Sequence, residues 1–314
     1  MDSIEKAMLN RSRVPSAPPG VVPRIEEDAI ERAINRASAA QIAPIAGSIA
    51  APVAPKRTQR SVTLNMEWIG AAGMLVPDTR RSRIKEEYRH IKRPLLMNID
   101  GKGASTVKHA NLIMVTSARP GEGKTFTACN LALSIAAERD RTVLLVDADV
   151  VKPSVARVLG FETDLGLVDF LIDDQLDLAD VLLDTNVPSL TILPAGSKHH
   201  LSTELLASEN MLKLATEMSS RYPDRIIIFD SPPLLATTEA SVLASLMGQI
   251  IMVVSAGRTQ QSHVKEALAL LNPNQIVGFV LNKARGTLGS DYYGYGYGYG
   301  YGYGYGSDAD TEAP

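Results

Sequence analysis

Apolar residues between positions 112 and 281 fall in short uninterrupted runs, which are separated by segments with helical periodicity. Uninterrupted runs are typical of parallel strands buried on both faces, since an exposed face would impose alternation. The pattern predicts strands at residues 112–115, 142–146, 190–193, 225–229, 250–254 and 276–281. It predicts helices from Lys124 onward and at residues 154–159, 165–172, 208–221, 239–247 and 260–271. This order of elements indicates an α/β fold, a mostly parallel sheet with helices on both faces.

One uncharged stretch, residues 240–257, is about the minimum length of a membrane-spanning helix. Gly248 and Gln249 divide it into a helix-like half and a strand-like half. We therefore predict a buried helix that leads into a core strand, and a soluble protein.

The first part of the chain lacks such a pattern. Residues 1–13 could form a short docking helix or a disordered terminus, and both interpretations stay open. Residues 26–36 have helical tendency, and residues 37–55 are uncharged and rich in alanine and proline. We interpret residues 1–60 as a flexible extension and linker that precedes a folded domain at residues 78–286.

A charged segment at residues 78–92 is predicted to be helical, with Ile84, Tyr88 and Ile91 forming one apolar stripe. Glu86, Arg89 and Lys92 would then lie on the other side. A solvated face is the usual meaning of such a charge run, and a subunit interface is the alternative.

The strongest chemical signal is the stretch LIMVTSARPGEGKTFTACN at residues 112–130. A strand, a glycine-rich loop and a helix follow one another, and the loop matches G-x-x-x-x-G-K-[ST] except that Ala118 replaces the first glycine. In such loops backbone N–H groups bind phosphates, the lysine reaches the β- and γ-phosphates, and the following hydroxyl binds Mg²⁺. The predicted nucleotide contacts are Gly121, Glu122, Gly123, Lys124, Thr125 and Phe126.

Three aspartates follow predicted strands and should lie at the same edge of the sheet. Asp230 fits a Mg²⁺ ligand, together with Thr125. Asp147 and Asp149 would be about 6–7 Å apart on one side of an extended segment. We predict that Asp149 also serves Mg²⁺ and that Asp147 accepts a proton from a substrate hydroxyl. The catalytic set is therefore Lys124, Asp147 and Asp149.

The C-terminal tail, residues 287–314, contains a tyrosine–glycine repeat that cannot build a core. It is either an adhesive low-complexity tail or a strip of phenolic hydroxyls delivered to an active site; the neighbouring phosphate site favours the second. The predicted phosphoacceptors are Tyr292, Tyr293, Tyr295, Tyr297, Tyr299, Tyr301, Tyr303 and Tyr305.

The net charge restricts the expected partners, and the cysteine count restricts the expected compartment. The formal net charge of −3 argues against bulk nucleic-acid binding. The single cysteine, Cys129, excludes an internal disulfide and fits a reducing cytosol.

Four segments carry a resemblance to a known family: SARPGEGKT, VLLVDADVVKP, IIIFDSPP and the tyrosine-rich tail. The chain resembles the bacterial tyrosine kinases, most of all the stand-alone autokinases of exosortase-type exopolysaccharide systems. This resemblance implies an ATP- and Mg²⁺-dependent protein-tyrosine kinase that phosphorylates its own tail and regulates polysaccharide polymerisation or export. It also implies that Asn282 contacts adenine.

The same resemblance implies partners and a location. It implies a cytoplasmic chain that a membrane chain-length-determinant protein recruits and activates, and a tyrosine phosphatase that reverses the modification. It further implies a ring of subunits, with an E-x-x-R-x-x-R motif that here reads Glu86, Arg89 and Lys92.

Two positions depart from the family pattern. Val151 stands where arginine is common, and Arg119 stands where related partition and septum-site ATPases have a second lysine. An ATPase switch without kinase activity is therefore the main alternative. A non-enzymatic scaffold that acts through its tail is the third.

Overall fold

A computed structural model describes residues 60–78, 80–103, 107–221 and 224–284. The predicted extension at 1–60 lies outside these residues except for Arg60, and the predicted tail at 287–314, with all eight candidate phosphoacceptors, lies outside them entirely.

The described residues form eight strands and ten helices, most of which alternate along the chain. The strands are β1 (Ser61–Val62), β2 (Leu112–Ser117), β3 (Thr142–Asp147), β4 (Leu183–Thr185), β5 (Leu190–Leu193), β6 (Arg225–Asp230), β7 (Gln249–Ser255) and β8 (Ile276–Asn282). The helices are α1 (Met66–Ala71), α2 (Arg83–Ile99), α3 (Lys124–Ala136), α4 (Val155–Leu159), α5 (Leu167–Ile172), α6 (Leu178–Val181), α7 (Ser202–Leu206), α8 (Glu209–Arg221), α9 (Glu239–Ser245) and α10 (Gln261–Ala269).

The strands form one sheet in the order β1-β4-β5-β3-β6-β2-β7-β8. All neighbours are parallel except β4 and β5, which are antiparallel. The register pairs Val115 of β2 with Asp230 of β6, and Asp230 with Asp147 of β3. The carboxyl ends of these three central strands therefore meet at one edge, as the positions of the aspartates predicted.

Both faces of the sheet are covered. In β2, Ile113 and Val115 belong to the hydrophobic core on one side, with residues of α2 and α3, whereas Leu112 and Met114 belong to the core on the other side, with residues of α8 and α9. Every residue of β2 is buried. The predicted doubly covered α/β sheet is confirmed.

The uncharged stretch at 240–257 divides as predicted, into helix α9 and the central strand β7. Among the described helices, none combines the length and the apolar character that crossing a bilayer requires.

Several elements differ from the prediction. The strand β1 and the helix α1 lie before residue 78, and Leu64 and Ile69 are buried with the rest of the core. Helix α2 begins at Arg83 and continues past Pro94 to Ile99, because Leu95 beyond the proline still packs into the core. The pattern also missed three short elements, which are α6, β4 and α7.

Candidate active site

The loop between β2 and α3 has a backbone that its glycines permit. Gly121 has φ +81° and Gly123 has φ +103°, a region that other residues rarely adopt. A Cβ at Gly123 would lie 2.0 Å from Nδ2 of Asn282. The glycine at 123 is therefore required both by its own conformation and by a neighbouring side chain.

Side chains from distant segments hold this loop in place. The buried carboxylate of Glu122 accepts hydrogen bonds from the backbone N–H of Arg119, at 2.9 Å, and from the hydroxyl of Thr259. Asn282 Nδ2 donates to the Glu122 carbonyl at 3.0 Å, and Lys283 Nζ donates to the Gly121 carbonyl at 2.6 Å. The loop is thus fixed by Thr259, in the segment between β7 and α10, and by residues at the end of β8.

Lys124 and Asp149 form an ion pair inside the site. Lys124 Nζ lies 3.4 Å from Asp149 Oδ2, and both side chains are about 8% exposed. Asp149 Oδ1 also accepts a hydrogen bond from the backbone N–H of Lys152. A lysine amine at this position could bind phosphate oxygens, as the sequence predicts.

Asp147 is oriented by the turn that leads into α4. Its Oδ2 accepts hydrogen bonds from the backbone N–H groups of Ser154 and Val155, each at 3.0 Å. Burial raises the pKa of Asp147 to about 7. Burial likewise raises the pKa of Asp230 well above its usual range. Both side chains therefore occupy an environment that favours a nearby cation or a proton.

The residues present fit a Mg²⁺ ion. Asp147 Oδ1 and both carboxylate oxygens of Asp230 are buried and make no hydrogen bond of good geometry among the described residues, although the Thr125 hydroxyl is close enough to Asp230 to oppose the rise in its pKa. Buried polar atoms are normally paired, so the Asp230 oxygens suit a cation, and Asp147 Oδ1 suits a water or a proton. No three acidic, histidine or cysteine side chains in the described chain converge on one point. Mg²⁺ sites commonly use one or two carboxylates together with water and substrate phosphates.

A cavity of about 330 Å³ lies beside the loop. The predicted residues that line it are Gly121, Gly123, Lys124, Thr125, Phe126 and Asp149. The rest of the lining includes Val151, Lys152, Ser154, Arg157, Val158, Pro232 and Pro233. The site thus combines a phosphate-binding loop with a wall that is partly apolar and partly cationic.

Two predicted nucleotide contacts have other partners in the structure. The side chain of Glu122 is turned into the protein, where it bonds to Thr259, so only its backbone remains available to a ligand. The side chain of Asn282 bonds to the Glu122 carbonyl and, through Oδ1, to the backbone N–H of Lys283. Whether Asn282 also contacts adenine stays a prediction.

The predicted exposed position of Lys92 on α2 is wrong. Lys92 lies on the buried side of α2, where Nζ donates to the Ser134 carbonyl at 2.7 Å and pairs with Glu138 at 2.5 Å. The reason is that α2 packs on α3 through Tyr88, Lys92 and Leu95, and a lysine stem can cover apolar surface while its amine reaches polar groups. Glu86 and Arg89 do lie on the exposed side, where they pair with each other at 2.6 Å.

Sequence reasoning missed the contacts that tie the loop to the rest of the domain. Thr259 and Lys283 carry no motif, although Lys283 directly follows the predicted strand and Asn282. It also missed Arg157, whose only sequence signal is its position shortly after the two aspartates. Arg119 contacts His263 Nε2 through Nη1 at 3.1 Å, a pairing that no spacing rule could indicate.

Fold and site together define a protein that binds nucleotides through a phosphate loop. A family model described as an AAA domain matches residues 110–266. Tyrosine-protein kinase YwqD of Bacillus subtilis is 34% identical over 215 residues, which cover 68% of this chain and 86% of the relative.

Two further matches agree. Succinoglycan biosynthesis transport protein ExoP of Rhizobium meliloti is 33% identical over 67% of this chain, which corresponds to 26% of that larger protein. The crystal structure of the VpsO kinase domain is similar with a TM-score of 0.52 and 29% identity, over 65% of this chain and 100% of that domain. The chain belongs to the bacterial tyrosine kinase family, and its enzyme class is that of a tyrosine-protein kinase.

Proposed function

We propose that this chain is an ATP-dependent autokinase that phosphorylates the tyrosines of its own C-terminal tail. The observation that carries the proposal is the buried pair of Lys124 and Asp149 facing a cavity beside the phosphate loop. The chain itself supplies a candidate substrate, because eight of its ten tyrosines lie in the repeat at the C-terminus. Tyr88, outside that repeat, is buried and is therefore a poor acceptor.

The roles of the site residues follow from their places. The loop N–H groups and Lys124 would bind the nucleotide phosphates. Thr125, Asp149 and Asp230 would hold Mg²⁺, with Asp149 giving up its contact with Lys124 once the lysine binds phosphate, and the ion would neutralise charge on the phosphates. Asp147 accepts the phenolic proton. Its carboxylate is fixed by the Ser154 and Val155 amides, so its orientation does not depend on the substrate.

Transfer between neighbouring chains is the route we favour. The tail begins just after β8, and Lys283 at that point contacts the loop, so each tail starts near its own site. A segment from 283 to 305 could span several tens of Å at about 3.3 Å per residue, so its own site is within reach. If Glu86 and Arg89 join subunits in a ring, however, each tail lies beside the next subunit's site at high effective concentration. Successive phosphates, each adding about 1.5–2 negative charges, would then loosen the ring.

The cellular role we propose is regulation of exopolysaccharide polymerisation or export. The similarity to ExoP, a protein named for succinoglycan biosynthesis transport, supports it. The chain would act in the cytoplasm at the inner face of the membrane, recruited by a chain-length-determinant protein, and a tyrosine phosphatase would reset the tail.

The test begins with purified protein, Mg²⁺ and ATP, followed by mass-spectrometric mapping of phosphorylated residues. We expect phosphate on the tail tyrosines and none in the Lys124→Met variant. Phosphate confined to other residues would reject the tail as the substrate, and ATP hydrolysis with no phosphotyrosine would favour an ATPase switch.

A mixing experiment separates the two routes. Lys124→Met protein with an intact tail is combined with active protein that ends at Ser290. Phosphate on the inactive partner supports transfer between chains. An unlabelled partner, together with a full-length labelling rate that is independent of concentration when the protein is monomeric, would leave only the route within one chain.

A further inference from the structure

The cavity beside the phosphate loop is also lined by two cations that the proposed reaction does not use. Lys152 and Arg157 are both exposed, and both line this cavity. Arg157 Nη2 donates to the Ser154 hydroxyl at 3.3 Å, which holds its guanidinium at the cavity wall. Neither side chain has an ion-pair partner in the part of the chain that the structure describes.

The lining of the same cavity also has an apolar part. Val151 is 59% exposed, and Pro232 and Pro233 line the same cavity. A phenol ring could rest on this surface with its hydroxyl directed toward the phosphate loop. Any group attached to the peptide one repeat away would then lie near the cations.

The tail has the spacing to place such a group. From Tyr293 to Tyr305 each tyrosine is followed by glycine, so the tyrosines of an extended segment share one side and lie about 7 Å apart. The region is also anionic, since no lysine or arginine follows Arg285, whereas Asp291, Asp308, Asp310 and Glu312 do. Its charge is opposite to that of the cavity wall.

We propose that Lys152 and Arg157 form an anion subsite that binds a phosphotyrosine two positions from the tyrosine being phosphorylated. A phosphotyrosine carries about −1.5 to −2 charge, and an arginine fork matches phosphate oxygens in two parallel hydrogen bonds. Each phosphate added to the tail therefore improves the binding of the next acceptor. This inference rests on the proposed tail phosphorylation and specifies its order, in which modification spreads from one tyrosine to its neighbour in the repeat.

The chemical step is the same at each position. The bond between the γ-phosphorus of ATP and its bridging oxygen breaks, and a bond from that phosphorus to the phenolic oxygen forms. ADP leaves, and the phenolic proton passes to Asp147. Lys152 and Arg157 take no part in it. They act on the neighbouring residue of the acceptor peptide.

Binding is measured first, with full-length Lys124→Met protein so that no turnover occurs. Three fluorescent glycine-rich peptides, each with a single acceptor tyrosine, are compared. The first has no phosphotyrosine, the second has one phosphotyrosine two positions from the acceptor, and the third has one phosphotyrosine three positions from it. We expect the second to bind about fivefold tighter than the others, a gain typical of partly exposed charge pairs. Arg157→Gln and Lys152→Gln, introduced into the same background, should each reduce this gain.

The matched control is Arg139→Gln, which removes an exposed arginine beyond the C-terminal end of α3, away from the loop. It should keep the full preference. In full-length protein with Lys124 intact, kcat/KM should be higher for the second peptide than for the other two. In the same protein, Arg157→Gln should make phosphorylated tyrosines occur less often at neighbouring positions of the repeat.

Three results would overturn the inference. Equal affinity of all peptides in the Lys124→Met protein would show that no subsite exists. A preference that survives both Gln substitutions would place the subsite elsewhere. A lower affinity for ATP in Arg157→Gln, with the peptide preference unchanged, would assign the cation to the nucleotide. A wild-type protein that phosphorylates no tyrosine at all would instead reject the proposed function itself.

Discussion

The phosphate loop is held by contacts between residues far apart in the sequence, whereas two ion pairs on the exposed face of helix α2 join residues within one helical turn. Glu122 is bonded to Thr259, 137 residues away, and its carbonyl to Asn282, 160 residues away. On α2, Arg83 pairs with Glu87 and Arg89 pairs with Glu86, only four and three residues apart. The loop therefore has one geometry that the whole domain specifies, whereas these two ion pairs are local to helix α2.

This difference has a functional consequence. A site for phosphoryl transfer must be organised before its substrate arrives, and long-range contacts supply that organisation. A face that binds another subunit benefits from charges whose present partners are weak, because exposed pairs contribute only about 0–1 kcal/mol and are easily exchanged. Substitutions in the loop should therefore change chemistry, and substitutions on the exposed α2 face should change assembly.

The largest effect is expected at Lys124. Lys124→Met removes the cation that faces the phosphates while it keeps most of the buried stem, so phosphotyrosine formation should fall to background. Incorporation of labelled phosphate measures this, and circular dichroism checks the fold. Activity near wild type in a folded variant would show that the loop is not the catalytic site.

The next effect is expected at Asp147. If it accepts the phenolic proton, Asp147→Asn should retain Mg-ATP binding and lose about 10²–10⁴-fold in transfer rate. Calorimetry measures the binding, and single-turnover assays measure the rate. Asp149→Asn is the matched variant, since Asp149 lines the cavity and pairs with Lys124. Loss of ATP binding in Asp147→Asn, but not in Asp149→Asn, would require the two roles to be exchanged.

These predictions depend on features that the sequence could supply. The loop, the three aspartates and the central strands were predictable, because a glycine-rich turn and buried apolar runs restrict the backbone locally. Lys92 was not, because a charged residue one turn from Tyr88 has the same spacing whether it faces water or the Ser134 carbonyl. Only the packing of α2 on α3 decides between them, and that packing is a tertiary property.

Lys92 tests this difference because, of the three residues predicted for the interface, it is the one with described contacts far away in the sequence. Lys92→Met should lower the free energy of unfolding by about 1–3 kcal/mol, since it leaves the Ser134 carbonyl and Glu138 without their partner. Arg89→Met, on the exposed side, should change it by less than about 0.5 kcal/mol. Urea unfolding measures both.

Light scattering on the same two variants tests the interface. Arg89→Met should reduce the assembly size, whereas Lys92→Met should leave it unchanged at temperatures where it remains folded. The reverse result, in which Lys92→Met dissociates the assembly without loss of stability, would return Lys92 to the subunit interface.

The smallest effect is expected at Asn282, which ties the loop to the end of β8. Asn282→Asp keeps the acceptor for the Lys283 N–H but loses the donor to the Glu122 carbonyl. One such hydrogen bond contributes about 0.5–1.5 kcal/mol, so ATP affinity should fall by about tenfold or less. The control is Asn210→Ala, at an exposed position on α8, which should leave ATP affinity unchanged.

The same variant decides between positioning and base recognition. If Asn282 only holds the loop, Asn282→Asp should weaken ATP and GTP by the same factor, because the loop binds the phosphates that both share. If Asn282 contacts adenine, as the family resemblance implies, the ratio of ATP to GTP affinity should fall while phosphate binding is retained. Competition of each nucleotide against a fluorescent ADP analogue measures that ratio, and an unchanged ratio would exclude a contact to the base.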